Sequence, residues 1–363
     1  MKTTEHRIFY TKSQEMKGIE NCSIDLVITS PPYPMIEMWD EIMANQNVDI
    51  KKHISTNPLL AFELMHQELD KVWNECMRVL KDGGFLCVNI GDATRTINND
   101  FQLYNNHSRI IKHCTEIGFT NLPNIIWRKQ TNAPNKFMGS GMLPCGAYVT
   151  LEHEWILIFR KGGKRIYKIS NDKQNRRNSS FFWEERNVWF SDLWDLKGTK
   201  QKISKSKTRE RSASFPLSIP YRIINMYSQM GDTILDPFLG LGTTTIAAML
   251  SNRNSIGFEI DSLLKKSIVD NILSFSINEM NNIIYDRFQK HLEFIKEREQ
   301  NNKEVKYYNS NLKCNVMTRQ ETDLTLHYLT SIEHDSAFSC FRCFYEEKSD
   351  IRQVPFVMNG TLF

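Results

Sequence analysis

The sequence predicts an α/β fold built round a mostly parallel sheet, on three observations. Apolar, β-branched runs of strand length alternate with helix-length segments, the pattern of successive βαβ units. Two of the strand-like runs stop in residues that force a turn: Asp25 to Ser30 (DLVITS) ends at Pro31-Pro32, and the run through Ile234 to Asp236 enters a glycine-rich turn that opens a helix. At 363 residues, 40% of them hydrophobic, the chain is long enough to bury a substantial core as one large domain or two of ordinary size.

The elements follow in order. After the strand at 25–30, a helix is expected over about Leu60 to Leu80, closed by Asp82-Gly83-Gly84, and then a strand over Phe85 to Ile90 (FLCVNI). A helix near Ser108 to Ile117 and strands near Asn124 to Arg128 and Glu154 to Arg160 continue the alternation. From Gly162-Gly163 to about Ser214 the chain turns polar, basic and aromatic with no clear period, and reads as an insertion and not as sheet scaffold. The α/β pattern resumes with a helix at Ile219 to Gln229, a strand at Thr233 to Leu235, a helix at Thr244 to Leu250 and a strand at Ser255 to Ile260. Residues 262 to 300 read as one long helix, 305 to 332 have strand-like content, and the last thirty residues carry no firm signal. Pro34 to Asn57 reads as a flap beside the first turn, with Trp39 as an anchor.

Charge singles out one segment. The net charge is +4, but residues 163 to 212 hold 14 Lys or Arg against 6 Asp or Glu, or +8, so the remainder sums to −4. There is no run of eighteen apolar residues and no apolar core near the start, so neither a membrane span nor a signal peptide is expected and the protein is read as cytosolic. The eight cysteines have no framework spacing and read as reduced thiols. Cys340 and Cys343 form a single C-x-x-C with His334 and Cys314 nearby, and without a second pair no metal site is expected.

Ile234 to Thr245 (ILDPFLGLGTTT) is a strand, a glycine turn and a helix start, the arrangement that presents backbone N–H groups to an anionic ligand. No Lys follows the second glycine, so this is not a triphosphate loop. Glu259, 21 residues after Phe238 and at the end of the next strand, is where an acidic residue would meet ribose hydroxyls. In Ser30-Pro31-Pro32-Tyr33 the prolines preform the loop, Ser30 Oγ and the Pro31 carbonyl are hydrogen-bond acceptors, and Tyr33 offers an aromatic face for stacking.

Together these motifs resemble the amino-group DNA methyltransferases: DPFLGLGTT is similar to their cofactor motif and SPPY to their catalytic motif. The catalytic motif comes first here, about two hundred residues ahead of the other, an order that resembles the β class. The resemblance implies a Rossmann-like S-adenosylmethionine-dependent methyltransferase sheet in circularly permuted order, with a basic target-recognition insertion and a C-terminal extension. It divides the chain into a catalytic half (1–162), the insertion (163–213), a cofactor-binding half (214–300) and an extension of open role (301–363).

Carried over by residue, the resemblance places Ser30, Pro31, Pro32 and Tyr33 at the catalytic loop. It places Asp236, Pro237, Phe238, Gly240, Gly242, Thr243 and Thr244 round S-adenosyl-L-methionine, Glu259 on its ribose, and Phe215 and Pro216 near its methionine. Asn124 to Lys129, with Trp127, resembles the strand and loop beside the target-base pocket. Lys164, Arg165, Arg176, Arg177, Lys202, Lys205, Lys207 and Arg209 are expected to contact double-stranded DNA, interleaved with Tyr167, Phe181, Phe182, Trp183 and Trp189. Ser at the head of the loop resembles the cytosine-N4 enzymes more than the adenine-N6 ones. An N6-adenine enzyme on the same scaffold, a methyltransferase for protein or RNA amides, and a DNA-binding protein with a dead site stay open. So do a partner restriction endonuclease, and a monomer or a homodimer, in a prokaryotic cytoplasm.

Overall fold

The computed structural model describes residues 2–129, 138–139, 141–198 and 215–346. Among these, eleven strands form one sheet. In chain order they are β1 (Lys2–Phe9), β2 (Ile24–Thr29), β3 (Leu80–Ile90), β4 (Phe119–Asn121), β5 (Ile125–Arg128), β6 (His153–Lys161), β7 (Leu193–Asp195), β8 (Thr233–Asp236), β9 (Asn254–Phe258), β10 (Leu329–Asp335) and β11 (Cys340–Tyr345). Across the sheet the order is β7-β5-β6-β3-β2-β8-β9-β1-β11-β10, with β4 also on β6. The five central strands, β3, β2, β8, β9 and β1, are mutually parallel. On either side of them β6 and β11 run antiparallel.

Helices cover both faces, which is why β2 is buried at all six positions and shows an apolar run in place of an alternation. Successive side chains of a strand point to opposite faces. Leu26 and Ile28 accordingly join a layer with α3 (Ser218–Tyr227), α4 (Thr243–Leu250) and α6 (Ile277–Gln300), while Val27 packs against α1 (Pro58–Val79) and α2 (Asn106–Glu116). Pro58 opens α1 and Asn57 caps it by accepting from Leu60 N, so the helix start follows from an Asn-Pro pair.

Four differences from the sequence reading have local causes. β1 was not expected, because its inward residues include polar Thr4 and His6, which bond to Tyr345 Oη and Ser255 Oγ instead of forming an apolar stripe. The expected helix at 262–300 is two helices, α5 (Lys265–Ser274) and α6. They part at Ser276, which forms a reciprocal capping box with Glu279. The insertion is not free of sheet: β7 pairs with β5, and Phe182, Trp189 and Trp194 are buried core residues. The quiet last thirty residues supply β11, which pairs with β1, while β10 beyond it begins in the stretch read as strand-like. Among the described residues no helix is long and apolar enough to cross a membrane.

Candidate active site

The parallel strands bring their C-terminal ends to one edge of the sheet, where such folds bind ligands. β2 and β8 are neighbours there, with Val27 opposite Leu235, so loops two hundred residues apart in sequence emerge side by side. Thr29, the last residue of β2, donates to Asp236 Oδ1 at 2.7 Å, and Thr244 in the first turn of α4 donates to Oδ2 at 2.6 Å. Phe238 N also donates to Oδ1 at 3.1 Å. Asp236 is thus a clamp between the two motifs. Burial pushes its carboxyl up to about 6, although these hydrogen bonds act in the opposite direction.

Beside the clamp lies a cleft lined by Ser30, Pro32, Phe215, Phe238, Gly240 and Glu259 among others. Asp236, Pro237, Thr243 and Thr244 also line it; Pro216 is buried at the start of α3, and Gly242 caps α4 with φ +83°. Gly240 has φ +56°, and nothing lies within 4 Å of where a Cβ would stand, so the backbone is open to a ligand at that point. Glu259 Oε2 accepts from Gly240 N at 3.1 Å and Oε1 from Asp261 N at 2.9 Å, which fixes the carboxylate at the cleft wall. An apolar cleft with one oriented carboxylate and an open glycine turn fits a nucleoside bearing a charged amino-acid arm, and S-adenosyl-L-methionine has that shape and chemistry.

The residues after the catalytic loop, expected as a flap, are ordered largely as helix. They are helical at Asp40–Ala44 and Val48–Thr56, and Arg95 clasps Asp40 through two bonds of 2.9 and 2.7 Å. Trp39, Ile42 and Gln46 line the cofactor cleft itself.

The catalytic loop is backed by a polar cluster. Tyr33 is 9% exposed, so the ring expected to present a stacking face is nearly covered in this structure. Its hydroxyl donates to Glu154 Oε2 at 2.9 Å, accepts from Asn89 Nδ2 at 2.8 Å and lies 3.0 Å from Ser30 Oγ. Asn89 Nδ2 also donates to Glu154 Oε2 at 2.7 Å, and Lys129 ion-pairs with Oε1 while its ammonium sits 4.4 Å from the Trp127 ring centre. Burial, and after it the Glu154 carboxylate, hold the Tyr33 phenol well above its ordinary range. Asn89 and Glu154 were missed as site residues, while Lys129 ends the stretch 124–129 expected beside the target-base pocket. The signal for Asn89 was present, a single amide in the otherwise apolar strand FLCVNI.

Of the basic residues expected at DNA, Lys202, Lys205, Lys207 and Arg209 lie outside the described residues. The other four are not brought to the catalytic edge. Arg165 binds Asp232 at 2.6 Å and Asp25 at 3.4 Å, at the beginnings of β8 and β2, which is the opposite edge of the sheet. Lys164, Arg176 and Arg177 line a basin with Arg165 there; Arg176 stacks over Tyr167 and Arg177 pairs with Asp323. The reason is topological: β6 runs antiparallel, so the chain that follows it emerges at the far edge. Among the described residues no group of three His, Cys, Asp or Glu could hold a metal ion, and Cys340 and Cys343 lie within β11.

A preformed acceptor loop beside a nucleoside cleft, on a sheet of this topology, defines a methyltransferase that uses S-adenosyl-L-methionine and acts on amino groups. The chain belongs to the DNA methylase family of N6 and N4 methyltransferases, whose family model matches residues 24–271. It is 50% identical over 331 residues to the Type II methyltransferase M.MthZI of Methanothermobacter thermautotrophicus, covering 90% of this chain and 91% of that one. It is 49% identical over 282 residues to the Type II methyltransferase M.MjaI of Methanocaldococcus jannaschii, covering 74% and 92%. Among solved structures, a DNA modification methylase of Thermus thermophilus, TTHA0409, complexed with S-adenosyl-L-methionine, superposes with a TM-score of 0.56 at 29% identity, covering 75% of this chain and 98% of that one. The PvuII cytosine-N4 methyltransferase shares the fold, with a TM-score of 0.50 at 18% identity, covering 77% and 92%.

Proposed function

We propose that the chain methylates N4 of a cytosine extruded from duplex DNA. The observation that carries this reading is Ser30: the residue at the head of the loop is a neutral hydroxyl, half-buried at the cleft, where Asp is the alternative in this family. An exocyclic amine is a poor nucleophile because its lone pair is delocalised into the ring, so the site must draw the nitrogen toward sp³ geometry with well-placed acceptors. Ser30 Oγ and the Pro31 carbonyl are those acceptors, and the two prolines hold them in place before the base arrives. S-adenosyl-L-methionine supplies the methyl group; the amine nitrogen takes it, and its surplus proton leaves afterwards to water. Extrusion costs a few kcal/mol of stacking, so a mismatched or single-stranded target is accepted more readily than a paired one.

The relatives' names support a place in a restriction-modification system, with an endonuclease of the same specificity as its counterpart. The experiment is direct. The protein is incubated with methyl-labelled S-adenosyl-L-methionine and mixed-sequence DNA, and the digested nucleosides are separated. Label in N4-methylcytosine is expected; label in N6-methyladenine overturns the choice of base, and unlabelled DNA overturns the activity.

A further inference from the structure

Glu154 sits behind the catalytic loop, and hydrogen counting makes it the residue that fixes the direction of every bond there. A carboxylate only accepts. Its Oε2 takes the Tyr33 hydroxyl hydrogen and one Asn89 amide hydrogen, and its Oε1 takes Lys129. Tyr33 has a single hydroxyl hydrogen, and with that given to Glu154 its oxygen can only accept. The second Asn89 hydrogen reaches it at 2.8 Å. The contact of 3.0 Å between Tyr33 Oη and Ser30 Oγ then has one possible sense: Ser30 donates and Tyr33 accepts. Both Asn89 hydrogens are engaged at the shorter distances, so the 3.4 Å approach of its Nδ2 to Ser30 Oγ is weak.

The consequence falls on the reacting group. A serine hydroxyl has one hydrogen and two lone pairs. With the hydrogen directed inward to Tyr33, Ser30 shows the cleft lone pairs alone, which is what an N–H donor requires. Without the Glu154 carboxylate the Tyr33 hydrogen is free to turn toward Ser30, occupying a lone pair there and releasing the serine hydrogen toward the cleft, where it opposes the amine hydrogens. We propose that Glu154 is a positioning residue for methyl transfer, which acts through Tyr33 to hold Ser30 as an acceptor for the target amine. Tyr33 and Asn89 take both lone pairs of its Oε2, the oxygen that faces the loop, and Lys129 holds its Oε1, so it acts through Tyr33. The high phenol range of Tyr33 agrees with a hydroxyl that keeps its hydrogen throughout.

The inference rests on Ser30 accepting from an amine, and it holds whichever base carries that amine. Its test therefore counts methyl label transferred to DNA without regard to the nucleoside. Glu154→Gln keeps the shape but offers an amide donor where the carboxylate accepted. It is expected to lower kcat by about tenfold to a hundredfold, with cofactor affinity and Tm close to wild type. Tyr33→Phe is expected to do the same, and the double variant to be no worse than Tyr33→Phe alone, because Glu154 acts through the missing hydroxyl. Losses that multiply in the double variant show a separate structural role and overturn the proposal, as does wild-type kcat in Glu154→Gln. If Glu154→Gln fails to fold, Tyr33→Phe decides, since wild-type kcat without the Tyr33 oxygen overturns the same chain of bonds. Absence of label with the wild-type protein would instead count against the methyltransferase reading itself.

Discussion

Thr29 and Asp236 are joined by a 2.7 Å hydrogen bond, so the last residue before the catalytic loop is tied directly to the residue that ends the cofactor strand. The same carboxylate takes the Thr244 hydroxyl at 2.6 Å and the Phe238 amide at 3.1 Å. One side chain therefore sets the spacing between the loop proposed to hold the acceptor amine and the turn proposed to hold the methyl donor. That spacing matters for in-line transfer, where displacements of about 1 Å cost orders of magnitude in rate.

The position of this carboxylate has a pH signature. Burial raises it to about 6 from an ordinary 3.8, so the native state binds its proton more tightly than the unfolded chain does. Stability from this group is therefore full below about pH 4 and falls as pH rises through about 6, by roughly 3 kcal/mol in all. Asp236→Asn should remove this slope from the Tm of the cofactor-free protein measured between pH 4 and 7. A variant with the wild-type slope would assign the effect to another group.

Gly240 carries the open side of the cofactor turn. Its φ of +56° disfavours any L side chain, and a methyl group there enters the space of the cleft. Gly240→Ala is expected to weaken S-adenosyl-L-methionine binding by at least about tenfold, while the strain lowers stability by only about 1 to 2 kcal/mol. Calorimetric titration and thermal unfolding measure the two separately. Cofactor affinity at the wild-type level would place the ligand away from this turn.

The parts of the fold that were legible were those in which local chemistry and tertiary role coincide. The centre of DLVITS, Leu26 to Ile28, is apolar because helices cover both sides of it; Pro31 ends the strand with its fixed φ, and Gly240 permits the positive φ that its turn requires. β1 was hidden because Thr4 and His6 fill its inward side with satisfied polar bonds. β7 was hidden within a segment whose charge dominated its reading, although Trp194 is 2% exposed. The site was legible where it is a motif and obscure where it is a cluster. Glu154 and Asn89 reach Tyr33 from separate strands, and no spacing in the sequence records that meeting.

The segment after the catalytic loop is latched. Arg95 holds Asp40 in a two-bond clasp with both side chains mostly buried, and Trp39 beside it lines the cofactor cleft. Arg95→Ala leaves the Asp40 carboxylate without that partner, and the helices at Asp40–Ala44 and Val48–Thr56 should open more often. The expected result is faster cofactor dissociation and earlier protease cleavage within 36–57, with association little changed. Identical dissociation rates would show that the clasp adds stability but does not govern the cleft.

The described part of the basic segment stands at the far edge, and salt titration tests which of its cations meet DNA. Lys164, Arg176 and Arg177 lie at the edge opposite the catalytic loop. Leu196 and Phe215, which flank the stretch bearing Lys202, Lys205, Lys207 and Arg209, lie at the catalytic side, since Leu196 O accepts from Trp127 beside Lys129 and Phe215 lines the cofactor cleft. Each cation that neutralises a phosphate contributes about 0.9 to the slope of log binding constant against log salt. Replacing Lys205, Lys207 and Arg209 by Gln should reduce that slope by about 2 to 3 on a duplex of some twenty base pairs. The same exchange at Lys164, Arg176 and Arg177 should leave it within about 0.5, because such a duplex held at the catalytic edge does not reach the far basin. A reversed result would mean that DNA lies across the starts of β2 and β8, and the extruded base would then have to travel the height of the sheet to reach Ser30.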